Sequence, residues 1–361
     1  IIMSGGLGAT NDDVTREAVG EWLARPLVEH PDSLRRVKDF LAERRIAFSP
    51  GMQRHVLIPE GSVPIANPVG LATGFLATAG STRVVVLPGV PAELEAMLPA
   101  VLDLLDPSPR VWYQHRFVLV GIGEQVAEQK LLEAQLSPAI AIGLLPQTGP
   151  LEISLSTTLG QNALEPAIMA ARRALQEHLV CENRSIPEAV GDALLERGET
   201  LAIAESCTGG LLASLLTDVP GASAYVLAGV VSYSNEAKLS LLGVAPGTLA
   251  EHGAVSEATV LEMADGARTR CGANWGLATS GIAGPGGGSA DKPVGTVHVA
   301  VVGPSGSAHR KLFFPRRSRV QIKRFAAFGA LALLMATLRG ARTEPSELDA
   351  LTPRVGANPF R

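Results

Sequence analysis

Two short stretches of the sequence place a small hydroxyl residue where an apolar run opens into glycines. Thr200–Gly210 (TLAIAESCTGG) contains Ser206, and Leu277–Ser289 (LATSGIAGPGGGS) contains Ser280. In an α/β protein this pattern predicts a strand that ends in a loop over a helix N-terminus, where free N–H groups can hold an anion. Glycines also let the backbone approach a ligand closely. The two stretches therefore predict a site for a phosphorylated small molecule with a nucleophile beside it.

Tyr233 and Lys238 are the candidates for activating Ser206. They follow the next predicted strand of the domain, and the ends of parallel strands meet at one edge of a sheet. A lysine with a lowered pKa, or a tyrosine relaying to it, can remove the serine proton without a histidine. Two alternatives stand beside this interpretation. A serine before a helix is most often an N-cap, and the adjacent Cys207 is intrinsically the better nucleophile.

The composition is typical of a soluble α/β enzyme. The 361 residues suffice for two or three domains, and they include 38 glycines. With 31 basic and 35 acidic residues the net charge is −4, so the composition does not call for a nucleic-acid or membrane partner. Three widely spaced cysteines without a CxxC motif indicate neither a disulfide framework nor a zinc site, and we expect a cytoplasmic protein. The uncharged run Phe325–Leu338 predicts a buried core helix rather than a membrane span.

The order of apolar runs predicts an α/β fold in three domains. Residues 1–106 alternate strands and helices and predict a parallel-sheet domain. The prolines of Asp106–Pro109 mark its end, and residues 107–184 predict a small α+β connecting domain. Residues 185–343 form the domain that contains Ser206, and residues 344–361 form a tail without periodicity. Because Ile1–Met3 has the pattern of the end of a buried strand, we expect the natural chain to begin further upstream.

The third domain resembles the C-terminal domain of the CinA family, the nicotinamide-nucleotide amidohydrolases. The resemblance is carried by AESCTGGLLASLL, VVSYSNEAKLSLLGV, HGAVSEATV and TSGIAGPGGGSADKPVGTV, which are collinear with the family over residues 186–340. It implies a three-layer α/β/α domain. The implied reaction converts nicotinamide mononucleotide into nicotinic acid mononucleotide and ammonia, with no cofactor.

The resemblance also implies roles for individual residues. Ser206 matches the nucleophile, Tyr233 and Lys238 match its activating groups, and Ser280 matches a residue that supports the site. Arg319 matches a functional arginine, although the glycine-acid-arginine turn of the family is RRSR here. We expect the helix N-terminus after Ser206 to stabilise the oxyanion and the loop 284–289 to hold the 5′-phosphate. The predicted substrate-binding residues are Cys207, Thr208, Gly209, Gly210, Asn235, Gly281, Gly284, Gly286 and Gly287.

The first domain resembles the MoaB/MogA-like molybdopterin-binding fold in the version found at the front of CinA proteins. SGGLGATNDDVTREA and PGVPAE match its two loops, and the strands that precede them in the family are absent from this sequence. The resemblance implies a metal-dependent ADP-ribose pyrophosphatase. Gly5, Gly6 and Gly8 would cradle the pyrophosphate. A divalent cation would be held by Asp12, Asp13 and Glu93. Asp12 and Asp13 are nearly as well explained as ordinary carboxylates at a helix start.

Two other functions remain open at this point. The chain could be a nucleotide-sensing scaffold linked to competence or DNA damage, or its first domain could bind a pterin. An intact Ser206, Tyr233 and Lys238 argue against a scaffold, which has no need of them. The absence of basic stripes and aromatic stacking positions argues against direct DNA binding. We expect nicotinamide mononucleotide and ADP-ribose as ligands and a homodimer as the assembly, since homodimers are the commonest assembly of such enzymes.

Overall fold

The computed structural model describes residues 1–105 and 111–340. The chain divides between residues 110 and 111 into two compact units, each of which contains both helices and sheets. The α/β class is therefore confirmed. The predicted boundary at Asp106–Pro109, the last residues of the predicted third domain and the predicted tail 344–361 lie outside the described residues.

The first unit contains one main sheet and one short two-stranded sheet. In chain order its elements are β1 (Ile2–Ser4), α1 (Thr15–Trp22), β2 (Leu27–Glu29), α2 (Pro31–Glu43), a 3₁₀ helix (Pro50–Val56), β3 (Leu57–Pro59), β4 (Val63–Ile65), β5 (Gly74–Ala79), β6 (Thr82–Leu87) and α3 (Pro91–Leu105).

The main sheet of the first unit has the order β1-β6-β5-β4 and is mixed. Only β1 and β6 are parallel, whereas β6–β5 and β5–β4 are antiparallel. The prediction of a parallel sheet therefore needs correction. The reason is the two-residue connection Gly80-Ser81 with Gly80 at φ +59°, because a link this short can form only an antiparallel hairpin. The strand β1 is exposed rather than buried, since it lies at the edge of the sheet.

The second unit contains one sheet of four strands and one sheet of five strands. Its elements are β7 (Tyr113–Val120), α4 (Glu124–Glu133), β8 (Ala141–Pro146), β9 (Pro150–Thr157), α5 (Gln161–Leu175), β10 (Leu179–Glu182), α6 (Ile186–Arg197), β11 (Leu201–Glu205), α7 (Leu211–Thr217), a 3₁₀ helix (Ala222–Ala224), β12 (Val226–Val231), α8 (Asn235–Leu242), α9 (Pro246–His252), α10 (Glu257–Cys271), β13 (Trp275–Gly281), β14 (Thr296–Gly303), β15 (Gly306–Phe313) and α11 (Arg319–Leu338).

The first of these sheets is antiparallel, with the order β10-β7-β9-β8. The helices α4 and α5 pack on one of its faces around Phe117 and Ile153. From the opposite face, Val118 and Val120 join the core around α6 and α11. The pattern of residues 164–179 predicts one helix, whereas α5 ends at Leu175 and β10 begins at Leu179, so the sequence pattern missed this strand. The predicted domain division at residue 184 falls between β10 and α6, inside one compact unit, and stays a prediction.

The second sheet has the order β12-β11-β13-β14-β15 and carries helices on both faces. The strand β11 pairs in parallel with β12 and β13, whereas β13, β14 and β15 pair antiparallel. On one face, Ala204, Ala278 and Ala300 pack against α10. On the other face, Ile203, Leu277 and Val299 pack against α6 and α11. The three-layer arrangement places the end of β11 between two parallel neighbours, where a loop is surrounded by protein.

Among the described residues, α11 is the one helix whose length and apolar composition would suffice to cross a membrane. Of its most apolar window 56% is buried inside the protein. The buried side chains, such as Ile322, Leu331 and Leu334, belong to the core of the second unit. This burial is typical of a core helix, which agrees with the expectation for Phe325–Leu338.

Candidate active site

Ser206 lies directly after β11, the strand that is flanked by β12 and β13 in the second sheet. Its N–H donates to the carbonyl oxygen of Thr279 on the neighbouring strand (3.0 Å), and the residue is 9% exposed. The following loop contains Gly209 and Gly210 at φ +62° and +92°, in the left-handed region that glycine adopts without strain. The glycines predicted from the sequence are thus required by the turn that follows the serine.

The carboxylate of Glu205, which is fully buried, holds the loop after Ser206 in place. Its two oxygens accept hydrogen bonds from the N–H groups of Gly210 (3.0 Å), Leu212 (3.1 Å) and Ala213 (2.9 Å). These are the N–H groups at the start of α7. The prediction that this helix N-terminus serves the oxyanion is therefore wrong for these three donors, because Glu205 occupies them. The N–H groups of Thr208 and Gly209 enter no hydrogen bond among the described residues and remain available.

Lys238 is the basic group nearest to Ser206 in the described chain. Its Nζ lies 3.2 Å from the Ser206 Oγ and donates to the Ser232 carbonyl at 2.7 Å. Ser234 caps α8 by accepting from the Ala237 N–H (3.1 Å), which fixes the first turn that carries the lysine. The side chain is 1% exposed, and burial lowers the pKa of Lys238 below its ordinary value of 10.5. A buried amine at this distance can accept the serine proton.

Tyr233 occupies a different place from the one predicted. The side chain is 60% exposed, and its hydroxyl accepts a hydrogen bond from Arg319 Nη2 at 2.5 Å. No hydrogen bond among the described residues joins it to Ser206 or Lys238, so the structure offers no relay from Tyr233. Arg319 also donates to the Gly284 carbonyl at 2.7 Å. The arginine thus links the end of β12 with the second glycine loop, while Asn235 is exposed on the first turn of α8.

The side chains of Cys207 and Thr208 point into the protein rather than toward a ligand. Cys207 is part of the apolar core, and burial raises the pKa of its thiol to about 12. At neutral pH the thiol is therefore protonated and is a poor nucleophile. The Thr208 hydroxyl is buried and hydrogen-bonded to that of Thr279 at 2.7 Å. Only the backbone of these two residues can contact a substrate.

The second glycine loop, residues 280–289, has a packed part and an open part. Ser280 is buried and donates to the Ala254 carbonyl (2.6 Å), and a Cβ at Gly281 would lie 2.7 Å from the Val297 side chain. Both positions therefore serve packing. Gly284, at φ +74°, is the partner of Arg319, and Gly286 and Gly287 are exposed. The open part of the loop is the part that a phosphate can reach.

In the first unit, the two predicted loops meet. The Gly5 N–H donates to the Leu87 carbonyl at 2.9 Å, and a Cβ at Gly89 would lie 3.1 Å from the Gly5 Cα. A side chain at Gly6 would collide with Thr15, and one at Gly8 would collide with Asp13. Glycine is needed here because two backbones and a helix start come together.

The predicted metal ligands of the first unit do not come together. Asp13 Oδ2 accepts from the N–H (3.1 Å) and the hydroxyl of Thr10, and these bonds lower the pKa of the carboxyl. Glu93 Oε2 accepts from Asn67 Nδ2 at 2.7 Å, and Asp12 is exposed. Residues 1–105 and 111–340 contain no group of three His, Cys, Asp or Glu side chains that could hold a metal ion. The residues present therefore do not fit a bound divalent cation.

Comparison with known proteins assigns both units to one family. Residues 183–338 match the model described as "CinA C-terminal domain", and residues 1–107 match the model described as "Probable molybdopterin binding domain". A CinA-like protein of Desulfosudis oleivorans is 38% identical over 94% of this chain and 85% of its own length. The chain belongs to the CinA family. The resemblance stated from the sequence is thereby confirmed.

Other CinA relatives have similar coverage. A CinA-like protein of Chlorobaculum tepidum is 37% identical over 97% of this chain and 85% of its own length. Among solved structures, the competence/damage inducible protein CihA from Agrobacterium tumefaciens is 42% identical and covers 43% of this chain and 97% of its own, with a TM-score of 0.41. The name of the Agrobacterium tumefaciens protein refers to competence and damage, and none of these three names refers to a reaction.

Sequence reasoning missed two residues of the CinA site, Glu205 and Lys323. Glu205 could have been identified as a carboxylate at the end of an apolar strand, since a buried carboxylate must accept hydrogen bonds from several donors. Lys323 lies on α11, and its Nζ is 3.4 Å from the position of a Cβ at Gly209. It stands four residues after Arg319, a spacing that places two side chains on one face of a helix. That spacing could have identified Lys323 as a second cation beside the loop.

Proposed function

We propose that the second unit of this CinA protein hydrolyses the carboxamide of nicotinamide mononucleotide to nicotinic acid mononucleotide and ammonia. The observation that carries the proposal is the 3.2 Å contact between the buried Lys238 Nζ and the Ser206 Oγ. A serine beside a buried amine is an arrangement used for acyl transfer, since the amine can take up the hydroxyl proton and later return it. The family membership supports the same reaction class.

The residues of the site support a two-step mechanism. In the first step the neutral Lys238 amine takes the proton of Ser206, and the Oγ forms a bond to the carboxamide carbon. The tetrahedral intermediate then collapses, the C–N bond breaks, and the Lys238 ammonium protonates the leaving amine to give ammonia. In the second step Lys238 takes a proton from water while the hydroxide forms a bond to the ester carbon. The C–Oγ bond then breaks, and the Lys238 ammonium returns the proton to the Ser206 Oγ.

Two backbone donors and two cations are suited to the rest of the substrate. The N–H groups of Thr208 and Gly209 are adjacent to Ser206 and can donate to the oxyanion. Arg319 at the second glycine loop and Lys323 beside Gly209 supply positive charge for the 5′-phosphate. The buried thiol of Cys207 takes no part in this mechanism.

The direct test is ammonia release from nicotinamide mononucleotide by wild type, Ser206→Ala and Cys207→Ala. We expect Ser206→Ala to lower kcat by about 10⁴-fold or more and Cys207→Ala to retain activity. Loss of activity in Cys207→Ala alone, in a folded variant, would transfer the nucleophile to that thiol. If the folded wild type releases no ammonia, the amidase proposal is wrong and a nucleotide-sensing scaffold becomes the better explanation.

For the first unit we propose binding of ADP-ribose, a pyrophosphate, at the two loops that meet at Gly5 and Gly89. The close backbone approach supports a phosphate cradle. Because Asp12, Asp13 and Glu93 form no group of three that could hold a metal ion, a metal-assisted hydrolysis has no support here, and we derive no step through a metal. Calorimetric titration of the protein with ADP-ribose and with a pterin tests this proposal. Binding of the pterin without binding of ADP-ribose would overturn it. Hydrolysis of ADP-ribose in the presence of added Mg²⁺ would instead support the metal-dependent pyrophosphatase activity that the sequence resemblance implies.

A further inference from the structure

A cleft of about 950 Å³ lies in the second unit, between the sheet β10-β7-β9-β8 and α11. One wall is formed by the loops 121–124 and 146–151, and the other by residues 314–317 and the start of α11. Its volume is that of a pocket for a small organic ligand. Ser206, Lys238, Tyr233 and Arg319 do not line it, so it is separate from the site described above.

The charged side chains of the cleft favour an anion. Arg316 and Arg317 line it from one wall, and Glu124 is the acidic residue of the opposite wall. Neither arginine forms an ion pair with another described residue. Two guanidinium groups against one carboxylate leave an excess of positive charge, and guanidinium groups suit phosphate or carboxylate through paired hydrogen bonds.

The apolar side chains beside the arginines favour a flat ring. Phe314 and Phe325 stack with their ring centroids 5.4 Å apart, and the Arg317 guanidinium lies 5.6 Å from the Phe325 centroid. Ile122 lines the cleft from the opposite wall. An aromatic group can therefore contact apolar surface on both sides while its anionic end reaches the arginines.

The backbone at Arg316 gives an independent reason to assign a role to this turn. Its φ of +55° lies in the left-handed region, which is strained for a residue with a side chain. Such conformations cluster at ligand sites, where the surrounding structure maintains them. Here the strained turn directs two arginines to a cleft and then continues into α11.

We propose that this cleft binds an aromatic organic anion of mononucleotide size. The phosphate lies at Arg316 and Arg317, and the ring lies between Ile122 and Phe325. Thr148, on the same wall as Ile122, supplies a hydroxyl for the polar groups between ring and phosphate. This inference does not rest on the amidase, since the ligand class is defined by a ring and an anion and needs no carboxamide.

The test is hydrogen–deuterium exchange of the full chain with AMP as the probe. AMP contains a ring and a phosphate but no carboxamide. We expect slower exchange in the segments 121–124, 146–151 and 314–321 when AMP is added. Inorganic phosphate and adenosine, tested separately, are expected to protect these segments less at equal concentration. Protection confined to other loops of the protein would overturn the proposal.

Two variants and a matched control locate the binding. The double variant Arg316→Glu/Arg317→Glu is expected to raise the AMP concentration for half-maximal protection by about tenfold or more, since two charge-assisted contacts are lost. Thr148→Trp fills the cleft without changing charge and is expected to abolish the protection. Arg324→Glu, an exposed residue of α11 outside the cleft, reverses the charge at one position and should leave the protection intact. Protection unchanged in either folded cleft variant would contradict the assignment.

Discussion

Two of the glycine loops of this protein follow a strand and precede a helix. They are Ser4–Gly8 in the first unit and Ser206–Gly210 in the second, and their surroundings differ. In the second unit a buried carboxylate, Glu205, holds the loop, and a buried amine lies 3.2 Å from the serine. In the first unit Asp13 accepts a hydrogen bond from Thr10, and Glu93 accepts one from Asn67. Each of these two carboxylates is satisfied by its own neighbour.

This difference distinguishes Ser4–Gly8, a loop suited to binding an anion, from Ser206–Gly210, which also has a potential nucleophile and base. Glycines provide close backbone approach in both units, and that is sufficient for binding a phosphate. Catalysis also needs a group whose proton affinity has been shifted by its surroundings. Lys238 has this property because it is removed from water and has no counter-ion among its hydrogen-bond partners, which are a hydroxyl and a carbonyl.

After Ser206→Ala, the largest effect is expected for Lys238→Met, which removes the base and keeps an unbranched side chain. Steady-state ammonia release from nicotinamide mononucleotide should fall by about 10²–10⁴-fold in kcat, the usual contribution of a general base. The wild-type rate should rise with pH through a pKa below 10.5, because the neutral amine is the active form and burial lowers that pKa.

The pH profile provides the control for this variant. The residual activity of Lys238→Met should not show the rising limb that the wild type shows. If the limb persists unchanged in a folded Lys238→Met protein, another group is the base and the contrast between the two loops is lost.

The next effect concerns Glu205→Gln. The glutamine has one carbonyl oxygen and an NH₂ group facing three N–H donors, so at least one donor loses its partner. We expect the free energy of unfolding to fall by about 2–3 kcal/mol. The kcat should fall as well, because the loop that carries Ser206 is less well held. Denaturant unfolding and ammonia release measure the two quantities.

Glu196→Gln, an exposed position on α6, is the matched control for the same chemical change. It should alter neither quantity. An equal loss of stability in both variants would show that the charge alone, rather than the capping of α7, is responsible.

A smaller effect is expected for Arg319→Lys. The lysine keeps the charge but cannot bridge the Tyr233 hydroxyl and the Gly284 carbonyl in the same way. We expect KM for nicotinamide mononucleotide to rise by about tenfold, which corresponds to about 1.4 kcal/mol, with a smaller change in kcat. Arg324→Lys on the same helix serves as the control. A fall in kcat at unchanged KM would instead place Arg319 at the reacting atoms.

The smallest effect belongs to Asp13→Ala in the first unit. Ammonia release should not change, and the free energy of unfolding should fall by less than about 1 kcal/mol, because the lost hydrogen bonds are exposed. The folded-state pKa of Asp13 is lowered, so its stabilisation is present above the unfolded value near 3.8 and is lost as pH falls through the folded pKa. The melting temperatures of wild type and variant should therefore converge in acid. A large effect of Asp13→Ala on ammonia release would show that the two loops are not independent.

Much of the fold and part of the site could be predicted from local patterns. The apolar run TRVVVL predicts a strand over Thr82–Leu87, and the sequence after Ser185 predicts a helix over Ile186–Arg197. Both elements have these bounds in the structure, because an apolar run and a helix cap are encoded within a few residues. The hairpin partner β5 was missed, since the run Gly74–Ala79 contains too few large apolar residues to stand out. Tyr233 was expected beside Ser206 but is hydrogen-bonded to Arg319 instead, because nearness in the chain does not determine which way a side chain points.

The sequence by itself determined the family, the α/β class and the candidates Ser206, Lys238 and Arg319, because these depend on the type and order of residues. Only the tertiary structure decided which candidates come together. It brought the Lys238 amine to Ser206, joined Arg319 to Gly284, and occupied the start of α7 with Glu205. It also gave Asp13 and Glu93 separate hydrogen-bond partners, Thr10 and Asn67. Contacts of this kind join residues far apart in the chain, and they depend on how strands and helices pack, which no local pattern specifies.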